Sequence, residues 1–394
     1  VLILCPAVAT RNWVRELRKW LRTDQTVELA ANSKAPCQAD IVVASYNIAV
    51  GLGVHSKVVN RQFDTLVLDE IQYLKNMKSI RTGCVLGFGA NRKHNITSNA
   101  KRVWGLSGTP APNNISEMYP WLKACAPHTI AQPSGRAMSF NKFIETYCKV
   151  IPTEFGPKIV GNRTEALPTL IRNMGTIRSR LRKEDVLKEL PPMRITKMEV
   201  EGRDLYVSQI RGILDECHDM LDVPDSFWVE HLLGSHESYT PDRGSITRLT
   251  DMGTWRDTIY DSIPRIRRVS EMAKVDAAVE LVKSELNDKA YEKIVIFAYH
   301  RDAISLLAHG LADFGVSVVH GGVTGAARQE QIDNFQHGGD NQVFVGQIQA
   351  AGTAITLHGN GRCTNVLALS LDWVPGNNAQ AFSRVHRQGQ TGSV

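Results

Sequence analysis

The stretch Leu66 to Asn76, LVLDEIQYLKN, places two adjacent carboxylates, Asp69 and Glu70, directly after a short apolar run. Such a run is typical of a buried strand in a parallel sheet, because both faces of that sheet are covered. Open α/β sheets bind ligands at the carboxyl ends of their strands. One carboxylate there can hold the magnesium ion of a nucleotide, and a second can orient or deprotonate an attacking water. Many buried strands also end in solvated acids, so the pair alone leaves both interpretations open.

Short apolar runs alternate with helical patterns in both halves of the chain, and this alternation predicts an α/β fold with parallel sheets flanked by helices. A helix predicted over 12–22 follows the first run, and its Trp13 and Trp20 are interpreted as core residues. The predicted strands are 1–5, 40–46, 66–69, 103–106, 293–300, 316–323 and those that begin at 343 and 366. The predicted domains are an N-terminal lobe at 1–194, a helical insertion at 195–272 and a C-terminal lobe at 273–394.

Length and composition argue against several classes of protein. The 394 residues suffice for two or three domains, and no apolar stretch approaches the length of a membrane span. The seven cysteines are scattered without a Cys-x-x-Cys pair, which argues against a zinc module and indicates an intracellular compartment, cytoplasmic in bacteria or phage and nuclear in eukaryotes. The net charge of +6 is mild, and the basic clusters at 177–183 and 264–268 fit phosphate binding and solvated surface charge equally well.

Two further stretches change the balance in favour of a functional site. RVWGLSGTPAPNN at 102–114 combines a strand with a turn of small residues that allows close backbone approach. QAFSRVHRQGQ at 380–390 carries Arg384 and Arg387, which share one face of a predicted helix. Their planar guanidinium groups suit bidentate contacts with phosphate oxygens.

Together these stretches resemble the sequence boxes of superfamily-two helicase-like ATPases, specifically the Swi/Snf-like translocases on double-stranded DNA and their annealing-helicase subgroup. The resemblance implies two RecA-like lobes that hydrolyse ATP with Mg²⁺. It implies that Asp69 lies on the magnesium side and that Glu70 activates water, with Gln72 where the family more often has histidine. It also implies that Arg387 is an arginine finger with Arg384 as its partner.

The resemblance assigns further residues to coupling and to nucleotide binding. Ser107, Gly108 and Thr109 match the loop that couples the nucleotide site to DNA. Gly352 matches a loop of the second lobe that approaches the nucleotide, and Gln380 is expected to pack between the lobes.

The implied partner is double-stranded DNA, held by its phosphate backbone and therefore without sequence specificity. The stretch IRSRLRKEDVLKELPP, 177–192, is expected to form a basic helix that ends at Pro191. The matching DNA-binding positions are Pro6, Ser45, Tyr46, His320, Gly321 and Thr353.

The phosphate-binding motif Gly-x-x-x-x-Gly-Lys-Ser/Thr is missing from the 394 residues. In the family it precedes the strand that VLILCP resembles, so we expect the sequence to be a fragment of a longer protein. Without the lysine and the backbone amides of that motif, we expect this chain to bind ATP poorly.

Three alternatives remain at this point. The same boxes occur in motor subunits of restriction or phage-defence complexes, whose protein partners the sequence does not specify. A non-hydrolysing DNA-binding scaffold would account for Gln72, for Ala354 at a family glycine and for the missing phosphate motif. A metal-dependent nuclease built on Asp69 and Glu70 is disfavoured, because further carboxylates at neighbouring strand ends are lacking.

Overall fold

The computed structural model of the protein contains two compact units. The first comprises Val1–Leu190, Gly352–Ile355 and Trp373–Ser383, and the second comprises Pro191–Ala351, Thr356–Asp372 and Arg384–Val394. The structure describes residues 1–22, 24–32, 37–50, 61–89, 95–153, 156–200, 204–221, 253–338, 340–351, 355–390 and 392–394.

The first unit is built on a parallel sheet in which β1 lies at the centre. Leu4 of β1 lies in register with Ala44 of β3 on one side and Leu68 of β4 on the other. Strands β1 and β3 are buried along their whole length, which explains their continuous apolar sequences. The strand order is β2-β3-β1-β4-β5, with β1 Leu2–Cys5, β2 Val27–Leu29, β3 Ile41–Ser45, β4 Phe63–Asp69 and β5 Ala100–Leu106.

Helices cover both faces of this sheet. One core contains Leu66, Leu68 and Tyr46, and the core on the other face contains Val14 of the first helix against Val43. The helices of this unit are α1 Thr10–Trp20, α2 Tyr46–Val50, α3 Ile80–Leu86, α4 Tyr119–Cys125, α5 Phe140–Tyr147, α6 Leu167–Asn173 and α7 Lys183–Val186.

The segment after α5 differs from the expectation. An antiparallel hairpin, β6 Cys148–Thr153 and β7 Gly156–Asn162, follows α5 directly. The predicted basic helix over 177–192 is wrong, because only the single turn α7 is helical. Leu181 is 79% exposed, so a helix here would have no buried face to stabilise it, and Arg178 and Arg182 would repel each other one turn apart.

The second unit contains a four-stranded parallel sheet with β8 and β10 at its centre. Every residue of β8 is buried, including Lys293, whose Nζ donates hydrogen bonds to the carbonyl oxygens of Phe335 (2.6 Å) and Gly338 (2.9 Å). The strand order is β11-β8-β10-β9, with β8 Lys293–Ala298, β9 Val316–Val319, β10 Val343–Gln347 and β11 Cys363–Ala368. Four helices accompany these strands, namely α10 Val275–Asn287, α11 Arg301–Gly310, α12 Gly325–Gln336 and α13 Ile348–Ala351.

The predicted insertion contributes two long helices to the second unit. They are α8 Asp204–Leu221 and α9 Gly253–Met272, and they are joined by an ion pair between Arg265 Nη1 and Glu216 Oε2 at 2.7 Å. Residues 222–252 of the insertion lie outside the described residues, and the domain boundaries at 194 and 272 stay predictions. A last helix, α14 Pro375–Phe382, belongs to the first unit. None of the helices in the described ranges combines the length and the apolar character needed to cross a membrane.

Candidate functional site

The carboxyl ends of four adjacent strands form one edge of the first sheet. Strands β3, β1, β4 and β5 are parallel neighbours, so the residues at their ends come together there. These residues are Ser45 at the end of β3, Pro6 after β1, Asp69 and Glu70 at the end of β4, and Ser107 after β5. This edge is where a parallel α/β sheet binds ligands.

Asp69 is held in one orientation by protein donors. Its Oδ2 accepts a hydrogen bond from the indole Nε1 of Trp13 at 2.8 Å, and its Oδ1 accepts one from the backbone N–H of Glu70 at 3.0 Å. Its backbone carbonyl accepts the hydroxyl of Tyr46 at 2.8 Å. A carboxylate has about four lone-pair sites, so these contacts orient it and leave lone pairs with which it could ligate a cation.

Glu70 has a left-handed backbone, with φ 51° and ψ 57°. For a residue other than glycine this conformation costs on the order of 1–3 kcal/mol and is concentrated at functional sites. It ends β4 and turns the chain into a short 3-10 helix, Ile71–Leu74. The turn places Gln72 next to Glu70, whose Oε2 accepts a hydrogen bond from Gln72 Nε2 at 2.6 Å.

Gln72 connects the carboxylate pair to the loop after β5. Its Oε1 accepts a hydrogen bond from Ser107 Oγ at 2.7 Å, and the same Oγ accepts the backbone N–H of Thr109 at 3.0 Å. Within the first unit, Gln380 Nε2 of α14 then donates to Thr109 Oγ1 at 3.4 Å. A side chain with both a donor and an acceptor is needed at position 72, and glutamine supplies both.

The turn that carries Gln72 lies close to β5 because β5 has a glycine there. A Cβ atom on Gly105 would come within 2.5 Å of Ile71 Cδ1. A second connection runs from Lys75, whose Nζ lies 2.7 Å from Glu117 Oε1, to Asn113, whose backbone N–H donates to Glu117 Oε2 at 3.0 Å. Burial raises the pKa of Glu117, but the hydrogen bonds from Lys75 and Asn113 outweigh it and hold the pKa below its usual value.

Ser45 and Tyr46 are turned inward. They are 4% and 2% exposed, and Tyr46 stacks on Tyr73 at 6.0 Å between ring centroids, with the Arg81 guanidinium 5.8 Å from the Tyr46 ring. Burial, and then the nearby Asp69 carboxylate, raises the pKa of Tyr46, so its hydroxyl stays protonated and donates a hydrogen bond to the backbone carbonyl oxygen of Asp69. The expected DNA contact of Tyr46 therefore does not involve its hydroxyl.

Arg384 and Arg387 belong to the second unit and do not lie on a helix, so the predicted arginine helix is wrong. Helix α14 ends at Phe382. The carbonyl of Arg384 then accepts the N–H of Leu357 at 2.9 Å, which replaces the bond that a continuing helix would need. The carbonyl of the next residue, Val385, accepts the side chain of Gln390 at 3.3 Å. Arg387 Nη1 donates to Thr356 Oγ1 at 3.1 Å.

His320 and Gly321 follow β9 at the carboxyl edge of the second sheet. Gln347 at the end of β10 links the neighbouring strand ends, since its Oε1 accepts the N–H of Gly321 (3.1 Å) and its Nε2 donates to the carbonyl of Tyr299 (3.1 Å). Burial, and then the charge of Arg301, lowers the pKa of His320. Gly352 and Thr353 lie outside the described residues.

Sequence reasoning missed the role of Trp13 beside Asp69. Trp13 lies one turn into α1, and α1 begins near the carboxyl end of β1, so its indole reaches the strand edge. A buried tryptophan usually finds an acceptor for its N–H, and that rule was the available signal.

The oxygen donors of Asp69 and Glu70 fit Mg²⁺. This ion is usually held by one or two carboxylates together with water and substrate phosphates, and not by a full set of protein ligands. The described ranges contain no cluster of three or more His, Cys, Asp or Glu side chains that could hold a metal ion.

Comparison of the chain with models of protein families agrees with the sequence motifs described above. Residues 1–208 match the SNF2-related domain, and residues 273–389 match the helicase conserved C-terminal domain. The chain belongs to the SNF2-related family. The resemblance inferred from the sequence is therefore confirmed. The predicted fold class, two RecA-like α/β lobes with a helical insertion, is confirmed by the same matches together with the two parallel sheets.

Relatives of this SNF2-related chain are much longer than it is. It is 22% identical over 405 residues to the human DNA annealing helicase and endonuclease ZRANB3, covering 100% of this chain and 33% of that protein. It is 26% identical over 402 residues to the SWI/SNF-related matrix-associated actin-dependent regulator of chromatin subfamily A-like protein 1 of Drosophila melanogaster, covering 100% and 46%. The chain thus spans between a third and a half of the length of these two relatives.

Solved structures that are similar to this chain include the Sulfolobus solfataricus SWI2/SNF2 ATPase core in complex with dsDNA. The TM-score is 0.40 at 17% identity, covering 100% of this chain and 75% of that one. The Pyrococcus furiosus Hef helicase domain has a TM-score of 0.44 at 14% identity, covering 100% and 85%.

Proposed function

We propose that this SNF2-related chain is the catalytic part of an ATP-dependent motor that moves along double-stranded DNA. The observation that supports this most is the hydrogen-bonded connection from Asp69 and Glu70 through Gln72 to Ser107 and Thr109. It joins the residues assigned to hydrolysis with the residues assigned to coupling, which a motor requires. The relative named as a DNA annealing helicase supports DNA as the polymer along which the motor moves.

Each carboxylate has its own role in the proposed hydrolysis of ATP. Asp69 would hold the magnesium ion, and the bound ion would neutralise charge on the phosphates. Glu70 accepts a proton from the attacking water while the water oxygen bonds to the γ-phosphorus. The bond between the γ-phosphorus and the bridging oxygen breaks, and ADP leaves with its electron pair. We assign Arg387, assisted by Arg384, to stabilising the charge on the transferred phosphoryl group.

Gln72 is proposed to transmit changes at the Glu70 carboxylate to the coupling loop, Ser107 to Thr109. A change in the charge or position of the Glu70 carboxylate alters its 2.6 Å hydrogen bond to Gln72, and Gln72 is bonded at its other end to Ser107. The geometry supports a working motor over a decayed scaffold, because the family histidine has been replaced by a residue that makes both bonds.

DNA binding is proposed to be mainly to backbone phosphates and hence independent of base sequence. Of the residues assigned to DNA, Pro6, Ser45 and Tyr46 lie at the carboxyl edge of the first sheet, and His320 and Gly321 lie at the carboxyl edge of the second sheet. By its position in the family motif, Gly352 is assigned to nucleotide binding and Thr353 to DNA binding.

Glu70→Gln, made in the protein that carries this chain, tests the proposal. The amide keeps the size and the hydrogen-bonding capacity of the side chain but cannot take up a proton. We expect DNA-stimulated ATP hydrolysis to fall by at least about 100-fold, the usual contribution of a general base, while DNA affinity is unchanged. Glu145→Gln on the exposed face of α5 is the control, with full hydrolysis expected. Full hydrolysis by Glu70→Gln would reject Glu70 as the base.

A further inference from the structure

Three arginines form one face of helix α1. Arg11, Arg15 and Arg18 are spaced by four and three residues, so their side chains project from the same side of the helix. Arg22 follows the end of the helix, and all four side chains are exposed. We call Arg11, Arg15 and Arg18 the arginine face of α1.

The segment that contains these arginines is strongly basic. Residues 10–22 contain five cationic side chains and one carboxylate, a net charge of +4, whereas the whole chain carries +6. Arg15 lies 4.0 Å from Glu16, the single carboxylate in this segment. Among the described residues, no carboxylate pairs with Arg11, Arg18 or Arg22. A charged surface of this kind attracts a polyanion rather than pairing within the protein.

The helix that carries the arginine face is firmly held on its other side. Val14 is buried between α1 and the sheet, and Trp13 is hydrogen-bonded to Asp69 at 2.8 Å. The arginines are therefore presented on a fixed support, which lowers the entropy lost when they bind a ligand.

The chemistry and spacing of the face match a nucleic-acid backbone. Arg11 and Arg15 are separated by about 6 Å along the helix axis, and Arg15 and Arg18 by about 4.5 Å. One strand of a DNA duplex presents a phosphate about every 3.4 Å along its axis, so successive arginines can reach successive or alternate phosphates. Four of the five cations in 10–22 are arginines, whose planar guanidinium groups bind phosphate oxygens in pairs.

We propose that the arginine face of α1 binds backbone phosphates of a nucleic-acid strand. It is a contact beyond the strand-end positions assigned to DNA above, and it extends along α1 away from the carboxyl edge of the first sheet. The proposal rests on the proposed function only in taking nucleic acid, and not an acidic protein, as the partner.

The test is a triple variant, Arg11→Gln/Arg15→Gln/Arg18→Gln, in the protein that carries this chain. Fluorescence anisotropy with a duplex of about 30 base pairs, between about 50 and about 200 mM salt, gives the slope of log affinity against log salt. Each lost phosphate contact reduces the magnitude of that slope by about 0.9, so we expect a reduction of about 2 to 3. Thermal unfolding of the same variant is expected to be unchanged, because the three side chains are exposed.

The matched control is Lys101→Gln/Arg136→Gln/Lys142→Gln, which removes the same charge from exposed positions elsewhere in the first unit. We expect this variant to reduce the slope by less than about 1. An equal reduction by both triples would overturn the proposal, because a general effect of net charge would then explain the result. Arg11→Lys/Arg15→Lys/Arg18→Lys is expected to restore most of the slope, since the charges return.

The remaining outcomes separate this proposal from the proposed function. If the parent binds the duplex and the glutamine triple on α1 has the parent's slope, the arginine face is not a phosphate contact and the motor assignment stands. If the triple instead loses binding to poly-glutamate while its DNA slope is unchanged, the face binds an acidic protein and the proposal is overturned. A parent without any affinity for duplex DNA would overturn both the proposed function and this inference.

Discussion

Trp13 packs on the apolar face of α1 and also donates its indole N–H to Asp69 Oδ2 at 2.8 Å. A hydrogen bond from a neutral donor to a carboxylate stabilises the charged form and fixes its direction without adding a competing charge. Trp20 on the same helix makes a similar bond to Glu16 at 2.9 Å, but it is 65% exposed and lies away from the carboxylate pair. The two tryptophans therefore form a matched pair for mutation.

Trp13→Phe removes the indole donor and keeps an aromatic ring in the core. A hydrogen bond to a charged group contributes about 1.5–3 kcal/mol, so we expect about a tenfold or greater increase in the Mg²⁺ concentration that gives half-maximal ATP hydrolysis. Trp20→Phe is expected to leave that concentration unchanged. The Mg²⁺ titration of both variants in the protein that carries this chain is the measurement. The same Mg²⁺ requirement in Trp13→Phe and the parent would show that Trp13 is only a packing residue.

At the scale of residues, the sequence predicted candidate side chains for the chemistry, and those roles stay predictions, but it did not indicate how the side chains are held. The position of Asp69 and Glu70 after an apolar run follows from strand burial alone. The left-handed backbone of Glu70 and the indole bond of Trp13 depend on tertiary neighbours, which local propensity does not encode.

The last turn of helix α9 is hydrogen-bonded to the residues that follow β8. Glu271 has a fully buried side chain, and its carboxylate accepts the backbone N–H groups of Tyr299 (2.7 Å) and His300 (2.8 Å) and the ring Nδ1 of His300 (2.5 Å). One turn earlier, Arg267 stacks 3.7 Å from the centre of the Tyr299 ring. A buried carboxylate with this set of partners connects the predicted insertion to the second sheet.

Glu271→Ala would leave these buried donors without their acceptor. Breaking a buried pair in this way costs about 3–5 kcal/mol, so we expect the midpoint of thermal unfolding of the second unit to fall by about 6–20 °C. Glu280→Ala, at an exposed position on the next helix, is expected to change it by less than about 2 °C. A calorimetric scan in which both variants unfold at the parent's temperature would contradict the assignment.

At the scale of elements, the buried strands and the amphipathic helix over 12–22 were predictable, whereas two other predicted helices were not found. All four strands predicted in the second half are present, because a buried parallel strand has a continuous apolar sequence that few other elements share. The helices predicted over 177–192 and around Arg384 failed because helix length is decided by what the helix packs against. The hairpin of β6 and β7 was missed because its sequence contains prolines and glycines that suggest a loop.

At the scale of the whole molecule, the stability of the two units is expected to depend differently on pH. His320 and His358, both in the second unit, accept a backbone N–H at Nδ1, from Gly322 at 3.0 Å and from Gly361 at 3.1 Å. Burial lowers the pKa of each, and the positive charge of a nearby arginine, Arg301 for His320 and Arg387 for His358, lowers it further. A proton on Nδ1 would also oppose the N–H that it now accepts.

The pH dependence of unfolding follows from these lowered values. A histidine that binds a proton less readily in the folded state than in the unfolded state makes stability rise with pH, up to the unfolded pKa of about 6.5. Acidification from about pH 7.5 to about pH 5.5 is therefore expected to destabilise the second unit. The stability of the first unit is expected to stay unchanged, because carboxylates with a lowered pKa, such as Glu117, remain ionised over this range. Differential scanning calorimetry should show one transition moving down on acidification and another staying in place. His320→Asn/His358→Asn keeps an acceptor oxygen near each Nδ1 position but does not titrate, so its transitions should not move. A double variant that is as sensitive to acid as the parent would show that other groups govern the stability of the second unit.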